Sequence, residues 1–189
     1  LTKVEEIIKK INQLTIIIME KDKKYPLAEA RAIAEAVLEE IKPHCFRAEI
    51  AGSIRRNKPE VGDIEIVAIP KPYSTGLLED GLASVINKWQ KVKGEMEYGK
   101  TKYTQRILPS GIKLDLFFAE QNNWGSIFAI RTGSAEFSHK VLATGWVRQG
   151  YKSEGGYLTK GGETYSVPEE EDLFRMIGRS FVEPEDRNL

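Results

Sequence analysis

The sequence predicts a mixed α/β (α+β) fold, with a central mixed sheet flanked by helices and a small C-terminal α+β unit appended to it. Three observations carry this. Apolar residues recur at spacings of three and four over residues 3–18 and 28–41, which marks two amphipathic helices. Four β-compatible stretches then follow, Arg47–Ala51, Asp63–Ile69, Thr101–Leu108 and Ile112–Phe118. Beyond Glu120 the pattern changes again, to two helical stretches, a glycine-punctuated hairpin and a last helix.

Taken in order, the first helix places Val4, Ile7, Ile8, Ile11, Leu14 and Ile18 on one stripe with lysines between them, and is expected to end near Lys21. Pro26 suits the first turn of the second helix, whose inner face is Ala30, Ile33, Ala34, Val37, Leu38 and Ile41, and Pro43 stops it. The four strands are expected to form the sheet. Leu77–Trp89 has helical spacing and should cover one face, and Pro109-Ser110-Gly111 makes a turn between the last two strands. Trp124–Ile130 and Glu136–Val147 read as helices, Tyr151–Val167 as a hairpin, and Pro168–Ile177 as a helix whose leading acids suit its positive end. The chain therefore divides into an N-terminal amphipathic helix (1–24), a sheet-bearing unit (25–119) and a smaller C-terminal unit (120–189).

With 189 residues and 41% hydrophobic content the chain can bury a sizeable core. The single cysteine, Cys45, excludes an internal disulfide and a thiolate zinc cluster, so a reducing cytoplasmic setting is expected. No apolar run approaches the about 20 residues of a membrane span, and Leu1–Lys10 mixes charges with aliphatics rather than forming a signal-peptide core. Net charge is +0, but Lys88, Lys91, Lys93, Lys100, Lys102, Arg106 and Lys113 form a basic stretch against only Glu95 and Glu97. Local charge density is what a phosphate backbone meets, because each neutralised phosphate releases a counterion. Glu169, Glu170, Glu171, Asp172, Glu183, Glu185 and Asp186 compensate, and predict a face turned away from nucleic acid.

The chemistry-bearing residues begin at Ala51-Gly52-Ser53-Ile54-Arg55-Arg56 and Val61-Gly62-Asp63-Ile64-Glu65-Ile66. On a strand, Asp63 and Glu65 leave from the same side while Ile64 and Ile66 enter the core. Two like charges there repel unless a dication lies between them, and oxygen ligands suit Mg²⁺. Alone, the pair reads more readily as two ordinary acids on a solvated edge face, and it is the surroundings that favour a metal. Gly52-Ser53 offers a loop whose amides can approach a phosphate closely, with a hydroxyl donor beside them and Arg55 and Arg56 nearby. Asp115 is a lone acid in an otherwise apolar strand, where an unpaired carboxylate is costly. If its strand lies beside that of Asp63 and Glu65, the three acids suit two metals about 3.5–4 Å apart in an in-line displacement.

A Gly-Ser pair, a nine-residue spacer (Ile54 to Gly62), acid-hydrophobe-acid and a later strand bearing a third acid resemble the nucleotidyltransferase superfamily signature. More narrowly the chain is similar to the family X DNA polymerases, with Gly52-Ser53-Ile54-Arg55-Arg56, Gly62-Asp63-Ile64-Glu65, Gly99-Lys100-Thr101-Lys102-Tyr103, Lys113-Leu114-Asp115 and Arg131-Thr132-Gly133-Ser134 in that family's order. The resemblance spans Tyr25 onward and includes Glu183-Pro184-Glu185-Asp186-Arg187. It implies a nucleotidyltransferase palm at 25–119 and a thumb-like unit at 120–189, a minimal form without the lyase domain or helix-hairpin-helix elements of larger relatives. It implies two Mg²⁺ ions, with Mn²⁺ an alternative, held by Asp63, Glu65 and Asp115, and a template-primer DNA and a deoxynucleoside triphosphate as partners of a monomeric enzyme. Asp115 would also accept the primer 3′-hydroxyl proton. Ser53 and Arg56 would bind the β- and γ-phosphates, with Gly52, Gly62 and Lys24 close by. Gly133 and Ser134 would lie beneath the nucleotide sugar. Lys100, Lys102, Lys113 and Arg131 would contact DNA, with His139 or Lys140 the candidates for a templating contact.

The sequence departs from the family at Glu65, where aspartate is usual, and at Ile130 and Arg131, which stand where aromatic residues are common and predict relaxed sugar choice. Two other readings stay open: a template-independent nucleotidyltransferase acting on RNA, a protein or a small molecule, and a catalytically inactive DNA-binding module.

Overall fold

The computed structural model describes residues 3–8, 23–72, 81–96 and 100–189. It is a mixed α/β structure whose five-stranded sheet has the order β2 (Cys45–Ile50), β4 (Asp63–Pro70), β7 (Lys113–Phe118), β6 (Tyr103–Ile107), β5 (Gln90–Lys93). Residues 3–8 are helical, with Val4, Ile7 and Ile8 exposed, and the remainder of the expected first helix, 9–21, lies outside the described residues.

Strand β1 (Tyr25–Pro26) pairs with β3 (Glu60–Val61), so the chain before helix α1 (Leu27–Ile41) is tied to the segment that enters β4 (Asp63–Pro70). Helix α1 buries Ala30, Ala34, Val37 and Ile41, and these pack on the inner face of the sheet. That face is built by strand alternation: Ile64, Ile66 and Ala68 of β4 and Leu114 and Leu116 of β7 (Lys113–Phe118) are all 0% exposed. Burying a Leu or Ile side chain contributes roughly 1.5–3 kcal/mol, so this row fixes which face of the sheet looks outward. A one-residue slip would turn every acid inward.

Within the sheet β4 and β7 are parallel, while β2 (Cys45–Ile50), β6 (Tyr103–Ile107) and β5 (Gln90–Lys93) pair antiparallel to their neighbours. The fifth strand, β5, is a correction to the four expected. Gln90-Lys91-Val92-Lys93 is exposed throughout and lacks apolar alternation, as suits a charged strand that discourages further pairing at a sheet edge. Of the helix expected over Leu77–Trp89, 77–80 lie outside the described residues and α3 covers Leu82–Ile86. The turn at Pro109-Ser110-Gly111 closes the β6–β7 hairpin, with Gly111 N–H donating to the Leu108 carbonyl at 2.8 Å.

The Gly52-Ser53 segment is not the expected open loop. It is the start of a one-turn helix, α2 (Gly52–Arg55), which leaves β2 through Gly52 at φ 61°. Only glycine fits, because the conformation is left-handed and a Cβ would collide with the Glu65 carboxylate.

The C-terminal unit opens with α4 (Trp124–Thr132). The single helix expected over Glu136–Val147 is three helical segments, α5 (Ala135–Phe137), a π-helical stretch (Ser138–Ala143) and α6 (Thr144–Arg148). Thr144 donates its N–H to the His139 carbonyl, the five-residue spacing that widens the turn. The expected hairpin carries a third strand: β8 (Lys152–Glu154), β9 (Tyr157–Lys160) and β10 (Glu163–Tyr165) form an antiparallel meander, turned by Gly155-Gly156 and Gly161-Gly162, all at positive φ. Helix α7 (Glu170–Met176) begins two residues later than expected, closed by a reciprocal cap between Glu169 and Asp172.

The two units meet over α4. Trp124 and Phe128 pack with Val67 and Phe117 on the outer face of the sheet. Beside them the Arg55 guanidinium sits 3.8 Å over the Phe128 ring and donates to Thr132 Oγ1 at 2.7 Å and to both Glu170 oxygens at 2.7 and 2.8 Å. Arg187, fully buried, donates to Glu170 Oε1 at 2.5 Å. Glu169 accepts from Arg47 at 2.8 Å and Glu185 from Asn57 at 2.8 Å. Some of the C-terminal acids, Glu169, Glu170 and Glu185, are therefore ties between the two units. No helix among the described residues is long and apolar enough to cross a membrane.

Candidate active site

Parallel pairing of β4 with β7 sets Asp63 opposite Lys113 and Glu65 opposite Asp115. Registered partners share a face, so the three carboxylates and Lys113 leave the sheet on the side away from α1. Asp63, Glu65 and Lys113 line a cleft of about 320 Å³ with Lys24, Ser53, Arg56, Lys58, Glu60 and Gly62. The β1–β3 pairing explains Lys24, whose Nζ lies 2.9 Å from where a Cβ on Gly62 would stand. Ser53 Oγ is buried and has no hydrogen-bond partner among the described residues.

Charge crowding is visible in the acids. Burial, then the charge of Asp115, raises the Asp63 carboxyl above its usual range, against the pull of Lys24, Lys113 and Arg56. Burial, then Asp63 and Asp115, pushes Glu65 up to about 8, with Arg131 and Arg56 opposing. Arg56 is lowered chiefly by burial, while Glu65 and Asp63 act to raise it, and its guanidinium is fixed by the Thr132 carbonyl at 2.7 Å and Asn188 Oδ1 at 2.8 Å. The donor set suits a hard dication by its chemistry, since crowded carboxylate oxygens that favour protonation are relieved by a divalent cation. Among the described residues no group of three or more His, Cys, Asp and Glu side chains is arranged to hold a metal as it stands. Register gathers the three acids on one face without closing them into a cage.

No protein-family model matches the chain, and no curated protein matches it.

Asp115 is 9% exposed and accepts at one oxygen, Oδ1, from Tyr103 Oη at 2.6 Å and from Gln105 Nε2 at 2.7 Å. Neither donor was picked out by sequence reading, although alternation along β6 and the Pro109-Ser110-Gly111 turn would have placed both on the carboxylate face. Tyr103 stacks on Phe117 at 5.0 Å, and Arg131 lies 3.9 Å over the same ring with a buried Nε that has no hydrogen-bond partner among the described residues. Arg131 thus faces the acids, and its charge bears on both Glu65 and Tyr103. Gly133 and Ser134 are not among the cleft's lining residues. They follow Thr132, and Ser134 caps α5, accepting from Phe137 N–H at 3.0 Å, and donates its own N–H to the Arg187 carbonyl.

The other cations do not form one basic face. Arg106 is 1% exposed and buried behind the sheet, where its guanidinium meets Asn87. Lys91 is paired with Glu95 and Lys102 with Glu120. Lys102 borders a different hollow of about 630 Å³ together with Arg47, Phe118 and Trp124, at the far end of β7 from Lys113. Lys100 is exposed ahead of β6 and Gly99 lies outside the described residues. His139 and Lys140 are exposed on the π-helical stretch, and Lys140 is paired with Glu136 and lines a third cleft with Arg148 and Arg179.

The raised Glu65 carboxyl makes a measurable statement. A carboxyl whose folded pKa lies above its unfolded value of 4.5 supports the fold fully below pH 4.5 and loses that support as pH rises through about 8. A dication replaces the departing proton, so the rise in melting temperature produced by Mg²⁺ over EDTA should be larger at pH 8 than at pH 6. The difference should shrink in Glu65→Gln; an equal Mg²⁺ effect at both pH values would contradict the assignment.

Proposed function

We propose that the chain is a nucleotidyltransferase of the family X DNA polymerase type, which transfers a nucleotide from a deoxynucleoside triphosphate to the 3′-hydroxyl of a template-primer and releases pyrophosphate. The observation that carries this reading is the parallel β4–β7 register, which sets Glu65 beside Asp115 and Asp63 beside Lys113, with Asp63, Glu65 and Lys113 lining a cleft that also holds Lys24, Arg56 and Lys58. Asp63 and Glu65 would hold two Mg²⁺ ions, or Mn²⁺, and Asp115 the one nearer the primer. Bound there, the ions would lower the cost of charge on the attacking and leaving oxygens.

The chain's own residues do the rest. Lys24, Arg56, Lys58 and Lys113 surround the cleft with positive charge suited to a triphosphate, and the unpartnered Ser53 hydroxyl offers it a donor. The Thr132 carbonyl and Asn188 hold the Arg56 guanidinium in one orientation before any phosphate arrives. Asp115 accepts the hydroxyl proton of the primer as that oxygen becomes the nucleophile. Fixing these groups beforehand lowers the entropy lost on reaching the reactive geometry. Cys45 is buried and its thiol is pushed up to about 12 by that burial, so it takes no part. The reading places a monomer in the cytoplasm.

Primer extension with Mg²⁺, run with and without a template strand, tests this. Template-directed addition of single nucleotides is the expected result. Equal addition without template would assign the chain instead to template-independent transfer, and no Mg²⁺-dependent product with any acceptor would overturn the reading.

A further inference from the structure

From the paired contacts on Asp115 we infer that Tyr103 and Gln105 are positioning residues for the third carboxylate, an inference that rests on the nucleotidyl-transfer reading above. β7 lies between β4 and β6, and the register sets Asp115 between Glu65 on one side and Gln105 on the other. On the β4 side it meets like charge. On the β6 side it meets two donors, both aimed at Oδ1, at 2.6 and 2.7 Å. No hydrogen bond among the described residues reaches Oδ2. The carboxylate is thus anchored through one oxygen against repulsion from its neighbours, and the other oxygen is left for a cation or a hydroxyl proton.

The anchor is itself held. The Tyr103 ring stacks on Phe117, whose ring is covered by the Arg131 guanidinium from α4, so an α4 residue of the C-terminal unit steadies the phenol that steadies Asp115. Gln105 has less support, but its strand is paired on both edges, with β7 and with β5. Groups that orient a metal-binding carboxylate change metal affinity or turnover by about 10–100-fold when removed. Loss of the two donors should therefore act on the step that uses Asp115 and leave the triphosphate contacts of Ser53 and Arg56 alone.

The experiment compares the parent chain with Tyr103→Phe, which keeps the ring stack, Gln105→Met, and the double variant. Two readouts are taken at fixed pH: Mn²⁺ binding followed by electron paramagnetic resonance with a non-hydrolysable triphosphate present, and kcat and KM for single-nucleotide addition. In the double variant the more weakly held Mn²⁺ should bind about 10-fold less tightly and kcat should fall about 10–100-fold, with KM for the triphosphate within about 2-fold of the parent and each single variant in between. Unchanged Mn²⁺ binding and kcat in a folded double variant overturns the inference alone. A raised KM with unchanged kcat overturns it too, since that would place the pair in triphosphate binding. A parent chain that binds no Mn²⁺ and transfers no nucleotide removes the reading beneath it and the inference together.

Discussion

Asp63→Asn is expected, on the nucleotidyl-transfer reading proposed above, to lower nucleotide transfer by on the order of 10³-fold or more, because losing a metal ligand would forfeit several kcal/mol of transition-state stabilisation and each 1.36 kcal/mol is tenfold in rate. The same change should leave the fold intact or firmer. Asp63 is raised by burial and by Asp115, so in the absence of a cation its charge opposes folding, and a neutral side chain of equal size removes that opposition. The combined signature, a lost rate with a melting temperature in EDTA equal to or above the parent's, is what a functional carboxylate should give. A variant that loses rate and melting temperature together would mark Asp63 as a structural residue.

Glu170→Gln is expected to have the largest effect on stability. The Glu170 carboxylate, 4% exposed, accepts from Arg55 and Arg187, and breaking a buried pair by removing one partner costs about 3–5 kcal/mol. For a chain of this size that is roughly a 6–20 °C fall in melting temperature. Burial alone would raise the Glu170 carboxyl, but hydrogen bonds from both arginines, and their charges, outweigh it and hold the carboxyl below the usual range. The sign of the pH dependence follows. A depressed folded pKa gives stability that is fully present above the unfolded value of 4.5 and is lost as pH falls through the folded value. The gap between parent and variant should therefore be widest near neutral pH and close in acid. A gap that stayed constant down to pH 3 would show that shape, not charge, is what Glu170 contributes.

The two variants bear on parts of the molecule that were unequally legible in the sequence. Asp63, Glu65 and their alternation with Ile64 and Ile66 could be read directly, because a strand has one rule for facing. The neighbouring placement of Asp115 needed only the assumption that its strand was adjacent. β5 could not be read, since Gln90-Lys91-Val92-Lys93 owes its pairing to the free edge of β6 rather than to any pattern of its own. The roles of Glu170 and Arg187 were hidden for a different reason. An acidic run looks like solvent-facing surface unless the cations it meets, here 115 residues earlier at Arg55, are already placed in space. The Tyr103 and Gln105 donors follow from alternation along β6, but neutral side chains carry no charge pattern that would set them apart from ordinary strand residues.

The long sequence interval bridged at Arg55 also shapes how the molecule comes into being. During synthesis the strands β2, β4 and β7 can associate once residue 118 has emerged, yet α2 then presents a cation whose counter-charge is still some fifty residues from being made. Until Trp124 and Phe128 of α4 arrive, the nascent sheet carries an uncovered apolar flank at Val67 and Phe117, and Arg55 waits longer still, for Glu170. Alignment of the two halves therefore rests on a contact far apart in sequence, the kind that forms slowly because the intervening chain must first be closed.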